Sequence, residues 1–419
     1  MEAPFAGLAT QSLPLARCEV KKKGAKVCVI GGGGTGAALA YDLAQRGLDV
    51  ILLEKGELTS GTTGRHHGQL HCGARYAWND KSIARECYEE SLTLARIAGD
   101  CIEYNGGFFV ALNDEEAALR RKFIENCAEA GIPSHQMRVS DFARLEPAVS
   151  GAVKAAVLVP DGSFDAFRLP MMFFAAAVEL GARILPWREV VGLEISAGRM
   201  KAVIARNLAR PDRREERIEV DYVVSAAGAW AGQIARLAGI SISITLAPGT
   251  MLAVKGRVVN HVISRLRPPG DGDILVPQRG LSIIGSTQSL ALAGNPEGII
   301  PSASDIEFLR GAGAEMLPDF ASMPTYAAWA AARPLAGKDS LAAGDVEGRS
   351  LSRDFSVIDH ESEHGIAGFA SVIGGKATVL RAMAEKAADQ ACAKLGIQTE
   401  CRTSLYALPS WREYFREAR

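Results

Sequence analysis

Between Lys26 and Glu54 the chain reads as a short apolar run, a cluster of glycines, a helix of small residues and a second apolar run closed by an acid, and no other stretch restricts the possible folds as much. Val27-Cys28-Val29-Ile30 has the uninterrupted apolar character of a strand buried on both faces of a parallel sheet. Gly31, Gly33 and Gly36 follow as G-x-G-x-x-G, and the segment from Ala37 to Gly47 is rich in helix formers up to a glycine stop. Val50-Ile51-Leu52-Leu53 then leads into Glu54. The glycine triplet alone is weak, but between two strands, before a helix and ahead of a terminal acid it forms a dinucleotide-binding fingerprint. In that pattern Gly31 permits the tight turn, Gly33 lets backbone meet a pyrophosphate, Gly36 lets helix and strand close on each other, and Glu54 accepts from a ribose hydroxyl.

Composition narrows the class. With 48% hydrophobic and 23% charged residues, the 419-residue chain can bury a sizeable core and is expected to form two or more domains. Lys plus Arg number 47 and Asp plus Glu 48, a formal charge of -1 that gives no reason to expect nucleic acid as a partner. The eight cysteines, at 18, 28, 72, 87, 101, 127, 392 and 401, contain no Cys-x-x-Cys pair and no zinc-type spacing, so neither a metal nor an iron–sulfur cluster is expected. No apolar run reaches the roughly 18 residues that span a bilayer, and the start lacks a basic segment leading into an apolar core. The expectation is a reduced, cytoplasmic protein, with residues 1–25 as a flexible lead-in.

Nicotinamide and flavin dinucleotides share the fingerprint, and residues 59–76 separate them. The run Thr59-Ser60-Gly61-Thr62-Thr63-Gly64-Arg65-His66-His67-Gly68-Gln69-Leu70-His71-Cys72-Gly73-Ala74-Arg75-Tyr76 sets hydroxyls, glycines and imidazoles directly after the ribose acid. Read blandly it is a polar surface loop. FAD, however, needs hydroxyl and backbone donors along its second nucleotide and ring, whereas a simple nicotinamide site has no use for such a stretch. On these residues, and especially on His71-Cys72-Gly73-Ala74-Arg75-Tyr76, the chain resembles the FAD-dependent glycerol-3-phosphate dehydrogenases of the glycine/D-amino-acid oxidase superfamily, most of all the large subunit of the bacterial anaerobic enzyme. Asn260-His261-Val262-Ile263-Ser264-Arg265, Asp273-Ile274-Leu275-Val276-Pro277, Ser282-Ile283-Ile284-Gly285-Ser286-Thr287, Arg333-Pro334-Leu335, Ser352-Arg353-Asp354 and Gly374-Gly375-Lys376 follow in the family's order, and the resemblance spans residues 26–400.

The resemblance implies an α/β (α+β) fold: a Rossmann-like FAD-binding domain assembled from discontinuous segments, plus a substrate domain built on a mixed or antiparallel β-sheet. The segments are 26–104, 169–245 and 346–400 for the first and 105–168 and 246–345 for the second, with 401–419 as a C-terminal tail. It implies FAD held without a covalent bond by Gly31, Gly33, Gly34, Thr35, Gly36, Glu54, Lys55, Thr62, Thr63, His67, Gly68, Val190, Ala227, Gly228, Gly374, Gly375, Lys376 and Ala377. Cys72 reads as a buried thiol rather than an attachment point. The implied reaction is oxidation of sn-glycerol 3-phosphate to dihydroxyacetone phosphate, with hydride passing to flavin N5. For that substrate Arg75, Tyr76, Arg333, Arg353 and Lys376 are the candidate ligands, since a dianion in a dry cleft needs cations and arginine offers a bidentate fork. His71 and His261 rank equally as the base that removes the hydroxyl proton, and Arg333 is the residue expected to touch both substrate and flavin.

The chain departs from the family pattern at Cys72, at Pro248-Gly249-Thr250, at Ala332 and at Ala377-Thr378-Val379-Leu380-Arg381. Those positions keep open a dehydrogenase or oxidase of another polyol phosphate, a hydroxy acid or an amino acid, and beside these a non-catalytic flavin electron-transfer subunit. The cysteine-rich C-terminal module of the anaerobic enzyme's large chain has no counterpart up to Arg419, so electrons are expected to pass to a quinone or an electron-accepting protein partner. Leu408, Trp411, Tyr414 and Phe415 stand at helical spacing with Arg412 and Arg416 nearby. This tail is a candidate peripheral contact with the inner face of the cell membrane, and packing on its own domain is the simpler expectation.

Overall fold

The computed structural model describes residues 13–14, 24–288, 296–336 and 354–417, and in it the fingerprint run forms β1 (Lys26–Ile30), α1 (Gly34–Gln45) and β2 (Asp49–Leu53). β1 and β2 are parallel neighbours in a six-stranded sheet of order Phe355–Asp359, Phe369–Gly374, Tyr222–Ser225, β1, β2, Arg183–Leu185. Every neighbouring pair is parallel except the first, which is antiparallel. Residues far apart in sequence thus meet in one sheet, as a discontinuous Rossmann-like unit requires. The turn into α1 depends on two glycines. Gly31 has φ +112°, and a Cβ there would stand 2.6 Å from Ala226 O; a Cβ on Gly36 would stand 2.0 Å from Gly31 O. With its small residues facing its neighbours, α1 packs closely on the helices Arg168–Glu179 and Leu380–Lys394. Leu39, Tyr41, Leu43 and Phe173 fill the core between them.

The second sheet has eight strands in the order Thr325–Ala336, Ile244–Lys255, Leu281–Gly285, Ile274–Gln278, Val262–Arg265, Gly107–Ala111, Ala155–Val159, His135–Met137. Its pairs are antiparallel except Val262–Arg265 with Gly107–Ala111, which run parallel, so it is a mixed sheet. Phe108, Leu252, Ile263, Leu275, Ile284 and Phe320 form a separate core on it. The charged stretch around Arg206 to Arg217 is an exposed hairpin between Arg199–Asn207 and Glu215–Glu219, held by ion pairs from Arg206 to Glu215 and from Arg217 to Glu194.

Gly162–Phe164 is a strand between Gln69–Leu70 and Ile102–Glu103. Two short helices, Asp114–Ala118 and Arg120–Glu129, follow one another beside the eight-stranded sheet. Ala377–Val379 is a 3-10 turn that leads into the α-helix Leu380–Lys394. Within the segment read as a flexible lead-in, Leu13 packs on the main core and Pro14 O accepts from Ala407 N at 3.1 Å. The apolar stripe of the tail is used internally. Leu408 and Tyr414 are buried, Tyr414 meets Phe174 and Trp411 meets Phe167, leaving Phe415 as the exposed member. Among the described residues no helix is long and apolar enough to cross a membrane.

Candidate active site

A cavity of about 830 Å³ lies between the two sheets, bordered by Ile30, Leu53, Ala226 and Gly374 on one side and by Gly249, Met251, Ser286 and Arg333 on the other. That is within the range of sites for cofactor-sized ligands, roughly 300–1,000 Å³. At one end is the N-terminus of α1. Its N-cap, Gly33, offers no side-chain cap, and Gly34 N donates to Thr63 Oγ1 at 2.9 Å, so further helix N–H groups face the cavity as an anion site. Glu54 receives Gly32 N at 2.7 Å on one carboxylate oxygen and Gly56 N at 2.8 Å on the other, fixing the loop while still lining the cavity. Lys55 pairs with Glu297 and stands 4.6 Å above the Trp230 ring. Thr62 Oγ1 donates to Ala332 O at 2.7 Å and ties the hydroxyl-rich segment to the second sheet.

Most of the residues read from sequence converge here. Gly31, Gly33, Gly34, Thr35, Glu54, Lys55, Thr62, Thr63, His67, Val190, Ala227, Gly228, Gly374, Gly375, Lys376 and Ala377 line the cavity, and so do His71, Arg75, Tyr76 and Arg333. Gly36 and Gly68 do not. Gly36 serves helix–strand contact, and Gly68 faces Gln278, whose Nε2 would be 2.0 Å from a Cβ there. Arg353 lies outside the described residues.

His261 lies apart from that set. Its Nδ1 is 2.6 Å from Glu146 Oε1, its ring packs edge-on against Phe108, and it is not among the cavity residues. Its carboxylate partner comes from a segment 115 residues away, which no local pattern announces.

The remaining histidines differ in role. His66 Nδ1 accepts from Gly68 N at 2.9 Å and His67 Nδ1 from Gln69 N at 3.1 Å, so in the neutral rings the proton sits on Nε2. Burial pushes His66 down to about 4 and His67 down to about 3, the latter also disfavoured by His66, Arg333 and Arg75. Both are neutral donors at physiological pH. His71 stands between the rings of His67 and Tyr76, at 5.8 and 5.4 Å, and its backbone N donates to Thr378 Oγ1 at 3.1 Å.

The cations are held differently. Arg75 Nη2 donates to Gly270 O at 2.8 Å and lies 3.5 Å from the buried Asp273 carboxylate. Arg333 Nη2 donates to Ser286 Oγ and reaches Thr287 O at 3.4 Å. Lys376 Nζ rests 4.9 Å above the Tyr76 ring, and as a buried atom it has no hydrogen-bond partner among the described residues. A buried cation in this state favours an incoming anion.

Sequence reasoning passed over Asp161, Ser286 and Gly249 as site-builders. Asp161 accepts from Cys72 N at 2.7 Å and Gln69 Nε2 at 2.8 Å, and burial pushes its carboxyl upward. Its only sequence signal, an acid before glycine, is that of an ordinary turn. Cys72 itself is fully buried, with its thiol held well above the ordinary range by burial, so it is no nucleophile towards a flavin.

Residues 26–379 match the family described as FAD dependent oxidoreductase. The A1 chain of the anaerobic glycerol-3-phosphate dehydrogenase of Haloferax volcanii is 39% identical over 401 residues, covering 94% of this chain and 68% of that protein. The corresponding chain of the Escherichia coli K12 anaerobic glycerol-3-phosphate dehydrogenase is 39% identical over 387 residues, covering 92% and 70%. Among solved structures, the glycerol-3-phosphate dehydrogenase from Bacillus halodurans complexed with FAD superposes with a TM-score of 0.70 at 21% identity, over 95% of this chain and 71% of that one; this likeness establishes the fold.

Proposed function

The chain belongs to the FAD dependent oxidoreductase family and, within it, to the relatives of the anaerobic glycerol-3-phosphate dehydrogenases; from that premise we propose that it oxidises sn-glycerol 3-phosphate to dihydroxyacetone phosphate. Its cofactor is FAD, and the uncapped α1 N-terminus, Glu54 and the Thr62–Thr63 hydroxyls suit the pyrophosphate and ribose of that group. When bound, FAD supplies the acceptor for the two electrons of the carbinol. The observation that carries the substrate reading is Lys376, a buried ammonium without a hydrogen-bond partner among the described residues, in one cavity with Arg333 and Arg75. A phosphate monoester, close to doubly charged at neutral pH, satisfies that set as a neutral polyol does not.

Arg333 and Lys376 bind the phosphate, and Arg75, its charge shared with Asp273, shapes the wall beside them. His71 takes the hydroxyl proton, since His261 is committed to Glu146 and the neutral ring of His67 carries its proton on Nε2. The Tyr76 ring, between His71 and Lys376, keeps the base and the cation apart. The electrons then pass to a quinone or to a partner protein, a route suggested by relatives that are named as parts of a multi-chain enzyme.

Turnover with an artificial electron acceptor tests the reading. Glycerol 3-phosphate is expected to exceed glycerol, glycine and L-proline by at least about a hundredfold in kcat/KM, two lost charge-assisted contacts being sufficient for such a factor. Equal or greater turnover of an amino acid overturns it.

A further inference from the structure

Arg333 projects from the strand Thr325–Ala336, at the end of the eight-stranded sheet, and its guanidinium crosses the neighbouring strand at Gly249. A Cβ at 249 would stand 2.6 Å from Arg333 Nη2 and 2.6 Å from Thr287 O, so this seat exists only because residue 249 has no side chain. On the far side of the seat Nη2 donates to Ser286 Oγ and to Thr287 O.

That support is itself anchored. Thr250 N donates to Thr287 Oγ1 at 3.0 Å, and Thr287 N donates back to Thr250 O at 3.2 Å. Thr250 Oγ1 in turn donates to Asp305 Oδ2 at 2.8 Å, and Asp305 N is capped by Ser302 Oγ at the start of the helix Ala303–Met316. Thr250 and Thr287 are buried, so these bonds are shielded from competing water. The seat therefore continues through hydrogen bonds to a helix N-terminus, and the Ser286 and Thr287 acceptors on Nη2 are both neutral. A hydroxyl and a carbonyl can orient a guanidinium without cancelling its charge, whereas a carboxylate at 286 would compete with an anionic ligand for it.

We propose that Ser286 is a positioning residue for anion recognition, acting through Arg333, with Gly249 providing the space and Thr250–Thr287 the fixed frame. The inference rests on the reading of Arg333 as a phosphate ligand and deepens it. It assigns to a residue outside the cationic set the task of holding that charge at one place in the cavity.

The test uses FAD-loaded protein with Ser286→Ala, Ser286→Thr, Arg333→Ala and the Ser286→Ala/Arg333→Ala pair, each first checked for wild-type FAD content and melting temperature. Three quantities are followed: KM and kcat for glycerol 3-phosphate, and the affinity for inorganic phosphate read from the flavin absorbance. Ser286→Ala is expected to raise KM and weaken phosphate binding by roughly tenfold each while kcat stays within about twofold. Ser286→Thr, which restores the hydroxyl, should return both to within about threefold, and in the Arg333→Ala background Ser286→Ala should add nothing. Unchanged KM and phosphate affinity in Ser286→Ala, or an equal loss with and without Arg333, overturns the proposal. If the wild type binds phosphate in an Arg333- and Ser286-dependent manner but does not oxidise glycerol 3-phosphate, the positioning role stands and the substrate reading falls.

Discussion

Lys376 shows what a single residue contributes at this site. The sequence marks it only as the third member of Gly374-Gly375-Lys376, and the glycines let the chain turn so that the ammonium meets the Tyr76 face rather than solvent. Lys376→Ala is expected to lower kcat/KM for glycerol 3-phosphate by about 1.5–3 kcal/mol, roughly 10- to 150-fold, since it removes a charge-assisted contact. Activity on unphosphorylated glycerol, measured alongside, should change far less, and an equal loss on both would show that the cation does not read phosphate. Residues brought to the cavity by local chain geometry were legible in this way as cavity residues: Gly31, Gly33, Glu54, the Thr62–Thr63 pair and His71. Those whose role is set by a distant partner were not. His261 meets Glu146 from 115 residues away, and Ser286 meets Arg333 across strands, pairings that no local pattern carries.

Among the elements, the strand–turn–helix–strand unit was legible because each piece carries its own signal, apolar run, glycines and small-residue helix in order. The three-strand join of Gln69–Leu70, Gly162–Phe164 and Ile102–Glu103 was not, because strands of two or three residues are too short to show a period. The tail is a further case. A stripe at helical spacing reads the same whether it faces lipid or its own protein, and only the burial of Leu408 and Tyr414 against the helix Arg168–Glu179 and its surroundings decides for the second. Leu408→Ala should therefore destabilise the fold by about 2–5 kcal/mol in denaturant titration, and a change under about 0.5 kcal/mol would show the segment to be loosely attached. Acid should act on the elements around the buried imidazoles. Burial lowers His66 to about 4, His67 to about 3 and His360, stacked on Phe369, to about 4. An unfolded chain takes up these protons near pH 6.5 while the folded one refuses them, so the penalty is absent above that pH and grows as pH falls towards 4, at up to about 1.4 kcal/mol per pH step for each group. Melting temperature and FAD retention should both drop between pH 7 and 4.5; a flat profile would contradict the neutral, buried state of these rings.

For the whole molecule, the arrangement of two sheets around one cavity explains why the segments that line it are scattered from Gly31 to Ala377. The six-stranded sheet contributes the glycine turn at one end of the cavity, the eight-stranded sheet contributes Arg333 and its seat, and the link between them is made by side chains such as Thr62 on Ala332 and Trp329 on Arg65. In the function proposed above, such a cavity would have to read phosphate and carbinol at once. The central claim is that this cavity oxidises a phosphorylated polyol at FAD, and anaerobic mixing of the purified, FAD-loaded chain with glycerol 3-phosphate tests it most directly. The account predicts loss of the oxidised flavin's visible absorbance, with one dihydroxyacetone phosphate formed for each flavin reduced, and no such change with glycerol at the same concentration. A flavin that stays oxidised with glycerol 3-phosphate, or that is reduced by an amino acid in its place, would contradict it.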